Sequence, residues 1–108
     1  MRKPTYKKMK NNIPTSMKTS TTDNFEVLWS DNLIDAGGKQ LDGITRFEPN
    51  QILINKNQTD KNAVLTAVHE FFHGLDHSHE IGLTENQVLK LENCFPFIRE
   101  FLKILEGK

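Results

Sequence analysis

A single cysteine, Cys94, leaves the chain without any internal disulfide. It stands in a helical pattern with no other Cys and no His near it in sequence, so it reads as a packed side chain in a reducing, cytoplasmic protein. No apolar run of seven or more follows the first basic residues, which argues against a secretory signal, and no stretch approaches membrane-spanning length. Apolar residues are scarce as well, at 36% of 108 positions, enough for one small domain with a modest core.

Acids are missing altogether from residues 1–22, which hold Arg2, Lys3, Lys7, Lys8, Lys10 and Lys18 together with five threonines. That composition predicts a disordered basic tail, either a solvated leader or a weak contact for nucleic acid or an acidic protein. The formal balance of zero hides this asymmetry. The tail takes six of the fourteen basic residues, so residues 23–108 keep eight against fourteen acids and form a net acidic domain.

Within that domain the apolar spacing changes from strand-like to helix-like. Phe25-Glu26-Val27-Leu28-Trp29 suits a partly buried strand, and Ala36-Gly37-Gly38-Lys39 a turn. Gly43–Phe47 and Gln51–Asn55 flank Glu48-Pro49-Asn50 and predict an antiparallel hairpin. Asn55–Gln58 then breaks every periodicity. Thr59 or Asp60 can cap a helix whose buried stripe is Val64, Val68, Phe71, Phe72 and Leu75. Gly82 closes this segment, and Thr84 with Gln87 makes a capping box for the next helix. Val88, Leu91 and Phe95 mark its inner face, Pro96 kinks or restarts it, and Ile98, Phe101, Leu102 and Leu105 continue the stripe. Strands followed by helices predict an α+β fold: a small antiparallel sheet, hairpin plus one strand, packed on one central helix and one or two C-terminal helices.

His69-Glu70-Phe71-Phe72-His73 is an HExxH motif within the first of these helices. Two histidines four apart share a helix face and can grip one zinc ion, with the glutamate beside the metal as general base for a water. His69, His73 and Asp76 lie on a stripe turned roughly 130° from the apolar one. Chance alone would put this five-residue pattern in such a composition about once in a hundred shuffles. Surrounding residues must therefore supply the rest of the site.

A mononuclear zinc site needs a third protein ligand, and four side chains compete, Glu92, Glu85, His79 and Asp76. If the chain folds back at Gly82 into an antiparallel helix, Glu92 comes level with the histidines while Glu85 lies about 12 Å away along the axis. Glu92 is the first choice; Glu85 recovers if the helix ends early, at Gly74, and otherwise reads as an acid favoured by the helix dipole. His79 completes HxxxHxxxxxH, but Asp76 stands where the three-histidine metzincins use a glycine to turn the chain, so a surface role fits it better. Asp76 reads as an outer acceptor that fixes an imidazole tautomer, and His77, off the stripe, as exposed.

A strand hairpin, an HExxH helix and an acid on the following helix together resemble the zincin metallopeptidases. In particular it resembles the small ImmA/IrrE-type proteins, many of them encoded by phages and mobile elements. It covers about Phe25 to Leu105 and rests on Ile52-Leu53-Ile54-Asn55, His69-Glu70-Phe71-Phe72-His73-Gly74-Leu75-Asp76 and Leu83-Thr84-Glu85-Asn86-Gln87-Val88. The resemblance implies zinc, peptidase chemistry at His69, Glu70 and His73, an acidic third ligand on the next helix, and a specific partner protein, such as a repressor, as substrate. Fewer residues separate His73 from the next helix than in longer members, so the family does not fix the third ligand.

Two other readings compete. HxxxHxxxxxH with a basic tail is also similar to YbeY-type zinc ribonucleases, although those have Gly where this chain has Glu70. A non-catalytic zincin-like domain that binds a partner through its strand edge or tail is the other.

Overall fold

The computed structural model describes residues 5–107. Its elements are α1 (Tyr6–Asn11), β1 (Ser16–Lys18), β2 (Asn24–Ser30), β3 (Gly43–Arg46), β4 (Gln51–Asn55), α2 (Asp60–His79) and α3 (Glu85–Leu105). The fold is α+β, as the order of patterns predicts, with one strand more than expected. The sheet runs β1-β2-β4-β3 and is mixed. β3 and β4 form the expected antiparallel hairpin, β1 pairs antiparallel to β2, and β2 runs parallel to β4. Among the described residues no helix is long and apolar enough to cross a membrane.

The expected disordered tail over 1–22 is therefore corrected for residues 5–22; residues 1–4 lie outside the described ones. Met17 pairs with Phe25 across β1 and β2, and Ile13 and Met17 pack against the core. Thr19 is buried, its hydroxyl 2.5 Å from that of Ser78. Lys10 bridges to Asp60 at 3.3 Å. A few apolar residues and a strand pairing suffice to order a segment whose bulk composition reads as solvated.

Strand alternation sets the core. Phe25, Val27, Ile52 and Ile54 point to one face, where Ala67 of α2 covers them. Because Thr45 pairs with Ile52 and Gly43 with Ile54, those two residues of edge strand β3 also face α2. The helix meets the sheet through Ala63, Thr66, Ala67, Glu70 and Gly74, all buried. This corrects the predicted stripe: Val64 is buried, but Val68, Phe71, Phe72 and Leu75 are only half-buried. Small side chains let the helix axis approach the sheet, and the large apolar ones fill its flanks.

Local signals fix the helix ends. The Thr59 side chain accepts from the Asn62 N–H at 3.2 Å, and α2 runs through Gly74 to His79 before Glu80 turns left-handed at φ 51°. Thr84 and Gln87 complete the predicted capping box of α3, and Pro96 lies inside a continuous helix. Only Val88 of α3 is fully buried. Cys94, expected to be packed, is exposed. From Phe97 onward the apolar positions are exposed too, because the core lies against the first half of the helix.

Gly43 permits the closest approach. A Cβ there would stand 2.5 Å from Thr66 Cγ2 and 3.2 Å from Glu70 Cγ. Gly43→Ala is expected to destabilise the fold by about 1–3 kcal/mol, seen as a lower urea midpoint at unchanged slope.

Candidate metal centre

α2 and α3 bring three side chains to one point. The Nε2 atoms of His69 and His73 lie 3.2 Å apart, as their i, i+4 spacing requires. Glu85 closes the triangle, with Oε1 2.7 Å from His69 Nε2 and Oε2 2.9 Å from His73 Nε2. Among the described residues, these three form a cluster whose ligand atoms lie close enough to share a metal ion. Ligand atoms of a four-coordinate zinc site, each about 2.0–2.1 Å from the ion, lie about 3.3–3.4 Å apart. The observed triangle is a slightly contracted version of that set, so a small outward movement of the Glu85 carboxylate admits an ion.

The acid in this triangle is Glu85 and not Glu92. The antiparallel count fails because α3 does not start beside the end of α2. Glu80–Thr84 can span up to roughly 17 Å when extended, more than the roughly 9 Å of axis between His79 and His73. Asp76 Oδ1 holds this connection by accepting from the Gly82 and Leu83 N–H groups at 2.7 and 3.0 Å. α3 thereby begins next to His73, and both Glu85 and Glu92 reach His69 although seven residues separate them.

Glu92 takes the outer place expected of Asp76. Its Oε1 is 3.3 Å from His69 Nδ1, at an angle that falls short of a hydrogen bond, and Nδ1 is otherwise buried without a partner. A metal ion on Nε2 would put the ring proton on Nδ1, where the Glu92 carboxylate is the available acceptor. The orphaned nitrogen thus fits the donor set. Burial raises the Glu92 pKa above the ordinary carboxylate value, and the neighbouring His69 partly offsets this.

Glu70 lies on the sheet side of the same turn and is 7% exposed. The Thr45 hydroxyl is 2.8 Å from Glu70 Oε1 and 3.1 Å from the Glu70 carbonyl oxygen, so its proton is shared between them. Desolvation by burial raises the Glu70 pKa; the Thr45 hydrogen bond, His69 and His73 pull it back. A carboxylate whose pKa is raised in this way is a stronger proton acceptor than an ordinary one. Thr45 is a residue that the sequence reading misses. Its contact is set by β3–β4 register, 25 residues from Glu70, and leaves no local signal.

The remaining candidates point elsewhere. His79 Nε2 lies 2.6 Å from the Thr19 carbonyl oxygen and donates to it, tying the N-terminal segment to the end of α2. His77 is exposed, as expected, and stacks on Phe47 with centroids 3.9 Å apart. A cleft of about 550 Å³ opens over the centre, lined by β3 and its flanks, by α2 and by Glu85, Leu89 and Glu92 of α3. Leu41, Ile44, Phe47, Leu65 and Leu89 make part of its wall apolar.

Comparison with protein-family models, with curated proteins and with solved structures finds no match to this chain.

Zinc titration against a chromophoric chelator checks the ligand assignment. Glu92→Ala is expected to weaken zinc by about 10–100-fold, Glu85→Ala by more, and His79→Ala not at all. A larger loss in Glu92→Ala than in Glu85→Ala would return Glu92 to the metal.

Proposed function

We propose that the chain is a zinc-dependent metallopeptidase of zincin type that hydrolyses a peptide bond in a specific partner protein. The observation that carries this reading is the meeting of His69 Nε2, His73 Nε2 and the Glu85 carboxylate in a cleft that Glu70 also lines. Zinc held by those three residues supplies Lewis acidity, acidifying water and polarising a peptide carbonyl. Every other part of the work falls to the chain itself.

Glu70 is the proton acceptor. Thr45 holds its carboxylate by one oxygen, which leaves the other to take a proton from an attacking water and later pass it to the departing amine. Edge strand β3 borders the cleft with one side unpaired by β4, and an extended peptide can add to that side by main-chain hydrogen bonds. The apolar wall of Ile44, Phe47, Leu65 and Leu89 favours a peptide with a large apolar side chain next to the cut bond.

The test is a proteome-derived peptide library incubated with zinc-loaded protein, with newly formed α-amines read by mass spectrometry. Wild type is expected to generate a defined set of new termini, and Glu70→Gln to lose at least about 100-fold of that activity while keeping its zinc. Zinc-loaded wild type that forms no new termini, yet retains a partner from the same mixture, would replace the peptidase with a binding domain. Protein that takes up no zinc from a zinc-replete solution would remove the centre itself.

A further inference from the structure

Helix α3 has a second apolar face. Counting 100° per residue, Cys94, Phe97, Ile98, Phe101, Ile104 and Leu105 fall within an arc of about 120°, turned by roughly 130° from the core side marked by Val88 and Phe95. They include the most exposed apolar side chains of the helix: Phe97 is 74%, Ile104 71%, Leu105 66% and Phe101 58% accessible, and Cys94 is exposed. Taking a phenylalanine as about 200 Å² and a leucine or isoleucine as slightly less, the stripe leaves roughly 600–700 Å² of apolar side chain in water. A monomer's largest patch is ordinarily about 300–600 Å².

We infer that this face is the dimer interface of the protein, with two copies of α3 packing antiparallel about a two-fold axis near residues 99 and 100. Two such stripes bury at most roughly 1,200–1,400 Å², which reaches the lower part of the range of stable specific interfaces, about 1,200–2,000 Å². The stripe is self-complementary in this arrangement, since Cys94 faces Leu105 of the other copy and the bulky Phe97–Leu102 segments meet at the centre. Antiparallel pairing opposes the helix dipoles. It also keeps the two folded bodies apart, because each body packs on the first half of its own α3, around Val88. The face opposite the stripe carries charges of both signs, with Glu100 3.9 Å from Arg99 and 3.8 Å from Lys103. A helix that lies on a membrane uses a cationic polar face, which this one lacks. The cleft residues of α3 are Glu85, Leu89 and Glu92, ahead of the stripe, so the dimer leaves the cleft open.

Sedimentation equilibrium of the full chain up to about 100 µM, where a micromolar interface is mostly occupied, tests the proposal. Wild type is expected at the mass of two chains. Phe97→Lys and Phe101→Glu, each changing an exposed side chain in both copies, are expected to weaken association by at least about 100-fold with unchanged far-UV circular dichroism. Oxidation distinguishes the direction of pairing. Leu105→Cys is expected to form a covalent dimer with native Cys94, while wild type, whose two Cys94 lie about 16 Å apart along the paired axes, stays non-covalent. A single-chain mass for wild type at the highest concentration would overturn the proposal, as would a two-chain mass retained by both charged variants. Monomer that co-floats with phosphatidylcholine and phosphatidylserine vesicles would assign the face to lipid.

Discussion

How near α2 comes to the sheet decides most of this structure. The helix face turned to the strands is made of Ala63, Thr66, Ala67 and Gly74, and Gly43 on β3 has no Cβ to obstruct it. Glu70 belongs to that same face, so the close approach buries a carboxylate, which is costly without a hydrogen-bond partner. Thr45 provides one at 2.8 Å. Were the helix to stand off by the width of a leucine, Glu70 would be solvated and out of reach of Thr45, and its pKa would lose the upward push that burial provides. Packing and the proton affinity of Glu70 are therefore one constraint. The histidines escape it because they sit one residue before and three after Glu70 on the helix, which turns them from the sheet toward the cleft.

The connection after α2 exerts the second constraint. Glu80 and Gly82 both adopt positive φ, and Asp76 accepts two backbone N–H bonds from the chain as it returns. A glycine at 82 tolerates that conformation without strain. The outcome is a division of labour among three acids within 17 positions. Asp76 shapes the loop, Glu85 enters the donor triangle, and Glu92 backs the imidazole of His69. None of these roles follows from charge or helix dipole alone, since each depends on where α3 starts relative to His73.

What was legible in the sequence divides along the same line. Features encoded by neighbouring residues came through: the hairpin at Gly43–Asn55, the Thr59 cap, the Thr84–Gln87 capping box and the i, i+4 histidine pair. Features set by tertiary approach did not. Periodicity chose the large apolar residues of α2 as its inner face, whereas contact with a sheet selects small ones, and hydrophobicity does not distinguish the two roles. Counting along an antiparallel pair chose Glu92 over Glu85, because a count carries no information about a doubled-back connection. Bulk composition placed 5–22 outside the fold, although Ile13, Met17 and Thr19 supply enough buried contact to attach it.

α3 shows why apolar periodicity and burial must be kept apart. Its 21 residues carry apolar side chains to the end, and every one of them satisfies a helical spacing. Among the described residues the buried hydrophobic core comprises nine, of which Val88 is the one contributed by this helix. A core of that size covers one face of the first half of α3 and no more, so the apolar residues from Phe97 onward are surplus to what this sheet can bury. Spacing recorded that these residues share a face; it could not record that the face looks away from the chain's own core. The N-terminal half of the helix lines the cleft with Glu85, Leu89 and Glu92, and its C-terminal half turns its apolar residues to solvent.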